Sequence, residues 1–220
     1  MATASTERQL TDQGRERKQQ LVDAAMALFT ERGYAATRIS DICAEAGVAK
    51  GLFYWYFPTK VDLFTELVRT MQRRLRRAQA DAMQPGTSPL ARIAAGAEAS
   101  VTFITEHAHH FALVEVERAD PAIADALRDT SRVYRDDVVA LIEQAQAAGE
   151  VVDGDPVLLA LGVLGAVSSF GNAFRAGNVD IPAGDVARFV GAWITRSLTV
   201  SGAGGDAARR YGRSPDTGVG

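Results

Sequence analysis

Only one cysteine, Cys43, occurs in 220 residues. A single thiol cannot form an intrachain disulfide, so the fold must rest on its core, and a reducing compartment is expected. The N-terminus lacks a secretory apolar region. The longest apolar run, Val157 to Val167, is too short to span a bilayer. Both absences point to the cytoplasm and to no membrane partner. Period-2 alternation is missing, which argues against a sheet protein, and no internal repeat is present. Catalytic signatures are missing as well: no nucleophile elbow, phosphate loop, HExxH pair or paired-carboxylate pattern occurs. That weighs against the rival reading, an enzyme on a helical bundle, and no cofactor is expected. His107, His109 and His110 lie close together, but only the first and last share a helical face and no strict ligand spacing accompanies them, so no metal is expected.

What is present is apolar mass and unevenly divided charge. Hydrophobic residues make up 47% of the chain, enough for a substantial core. Net charge is −3, yet residues 1–77 hold 13 Lys/Arg against 9 Asp/Glu, and residues 78–220 hold 11 against 18. A basic head on an acidic body suits a nucleic-acid-reading domain joined to something that must not bind nucleic acid. The pattern predicts an all-α chain. A polar arm covers 1–14, a helix-turn-helix domain 15–60, a larger helical domain 61–200, and a Gly/Ala/Ser-rich tail 201–220.

The chain is organised around Thr37 to Lys60. Ile39, Ile42 and Ala46 form one apolar face of a short helix. Gly47 permits a sharp turn. A second short helix carries Lys50, Gly51, Leu52, Tyr54, Trp55 and Tyr56, and Pro58 stops it. Three adjacent aromatics cannot all be buried on so short a helix, and a basic, aromatic outer face suits phosphates and base edges. Thr37 is a suitable N-cap for the first short helix. Arg38, Ser40 and Lys60 are candidates for phosphate contact, with a solvated surface as the alternative. Thr59 and Asp62 form a shortened capping box for the next helix. Arg15, Arg17 and Lys18 stand at the entry to helix 1, and Arg73 to Arg77 read RRLRR. Both groups are either solvated or drawn to DNA.

The run GYAATRISDICAEAGVAKGLFYWYFPTKVDLF, Gly33 to Phe64, closely resembles the N-terminal domain of the TetR (tetracycline-repressor-like) family. Gly33-Tyr34, Ala46-Gly47-Val48, Lys50-Gly51, Tyr54 to Phe57, and Lys60 carry the match. The resemblance implies double-stranded operator DNA as partner, in a palindromic site. It also implies phosphate approach around Thr37 and a Trp55 that faces the duplex. Two departures bear on base preference: Ala49 stands where Ser is frequent, and Leu52 where Thr or Asn is.

Beyond Pro85-Gly86, helices are expected at about 89–107, 109–118, 121–148, 155–176 and 183–199. Gly162, Gly165, Ala166, Ser169 and Ala173 share one face of the fourth of these. The fifth presents Val186, Phe189, Val190 and Trp193. These two helices either pack within one subunit or, as the resemblance implies, pair with their copies in a homodimer. Phe103, His107, Phe111 and Val114 follow helical spacing, with Tyr134, Phe170, Phe174 and Trp193 as residues that could converge on them. Such a set is either ordinary core or, by family habit, the lining of a cavity for a small apolar or amphipathic effector. The expected function is therefore a DNA-binding regulator of transcription, a repressor released by a small molecule. The alternative is the same reading head without small-molecule control.

Overall fold

Thr11 opens the first helix: its hydroxyl accepts from the Gly14 N–H, capping α1 over Asp12–Arg32. In the computed structural model, residues 11–117 and 121–199 are described; side chains of 115–117, 122, 123 and 125–133 are not. The expected arm therefore falls mostly outside the described residues, as does the tail, while residues 12–14 are helical rather than part of the arm. Helix α2 spans Ile39–Glu45, α3 Lys50–Tyr56, α4 Lys60–Ala82, α5 Pro89–Glu106, α6 Ala108–Glu117, α7 Pro121–Ala147, α8 Pro156–Arg175 and α9 Ala183–Leu198. Sheet structure among the described residues amounts to one isolated antiparallel bridge, Val151 to Thr199.

The chain divides into two compact units, Met1–Thr70 with His109–Leu127, and Met71–Ala108 with Arg128–Gly220. The boundary differs from the expected one at residue 60. Leu63, Phe64, Leu67 and Val68 of α4 and Leu113 of α6 share a core with α1, α2 and α3. In that core, Leu21, Ala25, Leu28 and Phe29 form the buried stripe of α1. Tyr34 meets Phe29 and Phe64 with ring centroids 5.2 Å apart in each pair. Phe53 and Phe57 turn inward from α3, so α3 is anchored by one face only. Burying a Phe side chain contributes about 1.5–3 kcal/mol, which is what holds so short a helix in register.

In the second unit α5 is the central element, and glycines set how closely its neighbours approach. A Cβ on Gly171 of α8 would come within 2.8 Å of Ile104, and one on Gly191 of α9 within 3.3 Å of the Ala94 carbonyl. The α7–α8 loop is tied down by Gln146, whose Nε2 donates to the Val152 and Gly154 carbonyls at 3.1 and 3.0 Å. Asp155 caps α8 by accepting from the Val157 and Leu158 N–H groups.

Candidate functional site

The reading face is built from α2 and α3. Gly47, at φ 63°, makes the turn between them. Arg38 precedes α2 and its backbone N–H donates to the Asp41 carboxylate at 3.1 Å, so Arg38, and not Thr37, is the cap residue. Thr37 is 1% exposed; its hydroxyl reaches the Gly33 carbonyl at 2.8 Å and the Leu28 carbonyl at 3.3 Å. A buried hydroxyl engaged with its own chain does not reach a phosphate, so Thr37 leaves the contact set.

Arg38, Ser40, Lys50, Gly51, Tyr54 and Trp55 are exposed, with Tyr54 at 49% and Trp55 at 50%. Leu52 and Tyr56 are half-buried. Lys50 Nζ lies 6.0 Å from the Tyr54 ring centre. Trp55 and Tyr56 meet edge-on at 4.6 Å, and the Tyr56 hydroxyl donates to the Gly14 carbonyl at 2.9 Å, fixing the start of α1 against α3. A Cβ at Gly51 would meet no protein atom within 4 Å. The protein's own packing therefore does not require glycine there, and the backbone is open to approach from outside.

Lys60, expected at a phosphate, points inward. Its Nζ donates to the Tyr34 carbonyl at 2.8 Å and the Thr37 carbonyl at 3.0 Å, and it lies 4.1 Å from the Tyr34 ring centre. Two charge–dipole contacts and one cation–π contact hold the α1–α2 loop. Lys18 is similarly engaged, 3.3 Å from Glu66 and 5.7 Å from the Phe57 ring centre. Thr59 and Asp62 make the expected capping box: the Thr59 N–H donates to Asp62 at 2.9 Å, and the Asp62 N–H to the Thr59 hydroxyl at 3.2 Å. Burial pushes the Cys43 thiol up, with the Lys50 charge opposing, which keeps it a packing group and not a reactive thiolate.

In the second unit a cavity of about 290 Å³ opens between α4, α5, α7 and α8, with Met83, Ile93, Ala97, Val138, Leu141 and Val163 among its apolar walls. Gln79 Nε2 donates to the Ser100 hydroxyl and to the Tyr134 hydroxyl, each at 2.8 Å, and Ser100 donates to the Gly96 carbonyl at 2.6 Å. Burial is the main reason the Tyr134 phenol stands above its ordinary pKa; its hydrogen bonds to Ser100 and Gln79 oppose the shift. Arg76 and Asp137, 3.4 Å apart and both well exposed, form the edge.

Of the eight residues expected to line a cavity, Tyr134 lines this one. Phe103 borders a separate, more open depression with Ala99 and Thr102. Its ring stacks on His107 at 4.1 Å, and His107 Nδ1 sits 2.9 Å from the Phe103 carbonyl, a local contact on one helix end. Phe111 and Val114 belong to the first unit, where Val114 packs on the core. Phe170 packs on Phe189 at 5.6 Å, Phe174 is half-buried, and Trp193 is 41% exposed. Helical spacing put these aromatics on shared faces, but which face opens on a void depends on the crossing of four helices. Gln79, Ser100, Met83 and Gly96 were not singled out from sequence. Gly96 and Ser100, one turn apart in an Ala-rich helix, are the only signal, and their partner Tyr134 lies 34 residues further on.

The surface expected to pair is open. Along α8, Leu158, Leu161, Gly162, Gly165 and Ser169 are exposed, and on α9 so are Phe189 and Trp193. A Cβ on Gly162 or Gly165 would meet nothing within 4 Å. Ala166, Val186 and Val190 are buried inside the subunit and Ala173 is half-buried; these four are set back from the open stripe. Helix α8 runs 20 residues and contains an 18-residue window with a mean hydropathy of 1.8, 22% of it buried, so length and composition alone would let it cross a membrane. The run Val157 to Val167 understated it, because Ser168, Ser169 and Asn172 dilute the sequence without ending the helix. A helix covered by a second subunit has the same composition.

A two-helix head with an outward basic and aromatic face, followed by a helical body with a cavity, defines a helix-turn-helix regulator of transcription. Residues 21–67 match the family described as "Bacterial regulatory proteins, tetR family", and residues 86–177 match "Tetracyclin repressor-like, C-terminal domain". Between them the two matches take in more than half of the chain, and the chain belongs to the tetR family. Among its relatives, the HTH-type transcriptional regulator AcrR of Shigella flexneri is 37% identical over 60 residues, which is 27% of this chain and 28% of that one. A TetR-family transcriptional regulator from Rhodococcus sp. superposes with a TM-score of 0.73 at 20% identity, over 84% of this chain and 100% of that one. The regulator FadR from Bacillus subtilis, solved in complex with stearoyl-CoA, gives 0.71 at 19%, over 82% and 98%.

Proposed function

We propose that the chain is a repressor that binds a palindromic operator as a homodimer and releases it when a small apolar or amphipathic molecule enters the cavity of the second unit. The observation that carries the DNA reading is the outward face of α3: Lys50, Tyr54 and Trp55 exposed around an exposed Gly51, where an added Cβ would meet no neighbouring element within 4 Å. Arg38 and Ser40 flank it from α2. Two such heads on one dimer would sit in successive major grooves about 34–36 Å apart. The open stripe of Leu158, Leu161, Gly162, Gly165, Phe189 and Trp193 supports pairing of subunits through α8 and α9.

Release would act through α4, which begins at Lys60 beside the reading head and has Gln79 and Ala80 in the cavity wall near its end. An effector that prefers the DNA-incompetent state 100-fold supplies about 2.7 kcal/mol toward release, and DNA then weakens effector binding by the same factor. FadR holds stearoyl-CoA. Here the cavity, about 290 Å³, lies at the small end of the roughly 300–1,000 Å³ of ligand sites. A compact molecule fits it better than a long acyl chain.

The test is a titration on DNA from upstream of the chain's own gene, or on sites selected from random DNA, at two salt concentrations. Tight binding should weaken steeply with salt, with log K falling about 0.9 per neutralised phosphate for each decade of salt. Tyr54→Ala should weaken it further. Equal affinity for selected and random DNA would refute the reading.

A further inference from the structure

The cavity contains more polar chemistry than its apolar walls require. Gln79 is 6% exposed, yet its carbonyl oxygen Oε1 accepts no hydrogen bond among the described residues; both of its bonds are made by Nε2. The Tyr134 oxygen accepts from Gln79. Among the described residues, the Tyr134 hydrogen has only the Ser100 oxygen in range, at 3.3 Å, and that oxygen already accepts from Gln79 and donates to Gly96. One acceptor without a bond and one under-used donor thus belong to residues that line the same void. A ligand that covers this acceptor without bonding it loses the acceptor's hydration, whereas one that donates to it does not.

Charge on the ligand would be poorly met. The cationic group on the lining is Arg76, already paired with Asp137 at the exposed edge. A carboxylate drawn to Gln79 would lose its water without a free counter-charge and would face Oε1, another acceptor. An ammonium would meet an Asp137 already taken. A hydroxyl group satisfies both sides at once, donating to Gln79 Oε1 and accepting from Tyr134.

We propose that the effector is a compact, uncharged alcohol or phenol, its hydroxyl held between Gln79 and Tyr134 and its apolar body lying against Met83, Ile93 and Leu141. The inference rests on the cavity being the effector site of the preceding reading. In this arrangement Gln79, on α4, is the residue through which the ligand's polar group acts on that helix.

The experiment compares 1-octanol with octanoate, matched in length and differing in charge, by calorimetry on the full chain near neutral pH. Octanol should bind at least about tenfold more tightly, because burying a carboxylate without a partner is the dominant penalty. Tyr134→Phe should weaken octanol about tenfold, the scale of one net hydrogen bond, and leave octanoate unmoved. Octanoate binding as tightly as octanol overturns the proposal, as does octanol failing to bind. So does full octanol affinity in a folded Tyr134→Phe variant. The octanol–octanoate comparison uses the unaltered chain and decides the matter even where the variant does not fold. Release of operator DNA, measured separately, keeps the two readings apart. Octanoate that binds and releases DNA overturns the alcohol inference and leaves the regulator reading standing. Octanol held through Tyr134 with DNA unmoved upholds the inference and removes the release mechanism.

Discussion

Lys60 directs its charge at two carbonyls of its own chain and at the Tyr34 ring, not at solvent. Removing it would take a charged donor from the Thr37 carbonyl and from the Tyr34 carbonyl, the latter keeping the Thr37 N–H at 3.3 Å. Lys60→Met is therefore expected to destabilise the protein by about 2–3 kcal/mol, since hydrogen bonds to charged groups are worth about 1.5–3 kcal/mol. Denaturant unfolding without DNA reads this directly. A lysine serving only as a phosphate contact would leave that midpoint unchanged. Tyr134 carries a pH signature of its own. Its folded-state pKa is raised, so the stability it contributes is intact below the ordinary phenol value of about 10 and is lost as pH rises through the folded value. The stability of the wild-type chain should fall more steeply above about pH 10 than that of Tyr134→Phe, measured as unfolding midpoint against pH.

Helices α4 and α5 meet where Gly96 lies under Met83: a Cβ on Gly96 would overlap the Met83 methyl. Both residues line the cavity, so the glycine sets where the methionine lies. Gly96→Ala gains about 0.5–1 kcal/mol of helix propensity and forces only the flexible end of a methionine to move. The expected outcome is an unfolding midpoint close to wild type with a clear loss of 1-octanol affinity, as Met83 swings into the void. Unchanged affinity would mean that Met83 finds room elsewhere. The capping boxes show the opposite case, where local sequence decides. Thr59 and Asp62 pair as their spacing predicts, whereas Thr37, equally suited by residue type, is drawn into the core by the Gly33 and Leu28 carbonyls.

At the scale of the molecule, the stripe on α8 and α9 is more apolar than a surface left in water would be. Leu158, at 66% exposure, and Trp193, at 41%, can be changed without touching the core. Leu158→Glu with Trp193→Glu is expected to give a folded monomer by sedimentation, with operator affinity lowered because one head alone reads a half-site. A dimer that persists in the double variant would mean that another face pairs the subunits.

Local, repeated signals determined most of what could be read in advance. Helical period, the glycine and proline stops and the cap residues are all settled within a few positions of each other, so the helices could be read within a few residues of their ends. The short range of the helix-turn-helix is why the Gly47 turn, the Pro58 stop and an outward aromatic face on α3 were legible from the chain alone. Tertiary structure decided which polar groups turn inward. Thr37 and Lys60 bind carbonyls brought near by the α1–α2 loop, and Gln79 meets Ser100 and Tyr134 across 21 and 55 residues. It also decided that the cavity opens beside Gln79, Gly96 and Tyr134. A cavity is the space left where four helices cross, and that space depends on long-range packing that no stretch of sequence encodes alone.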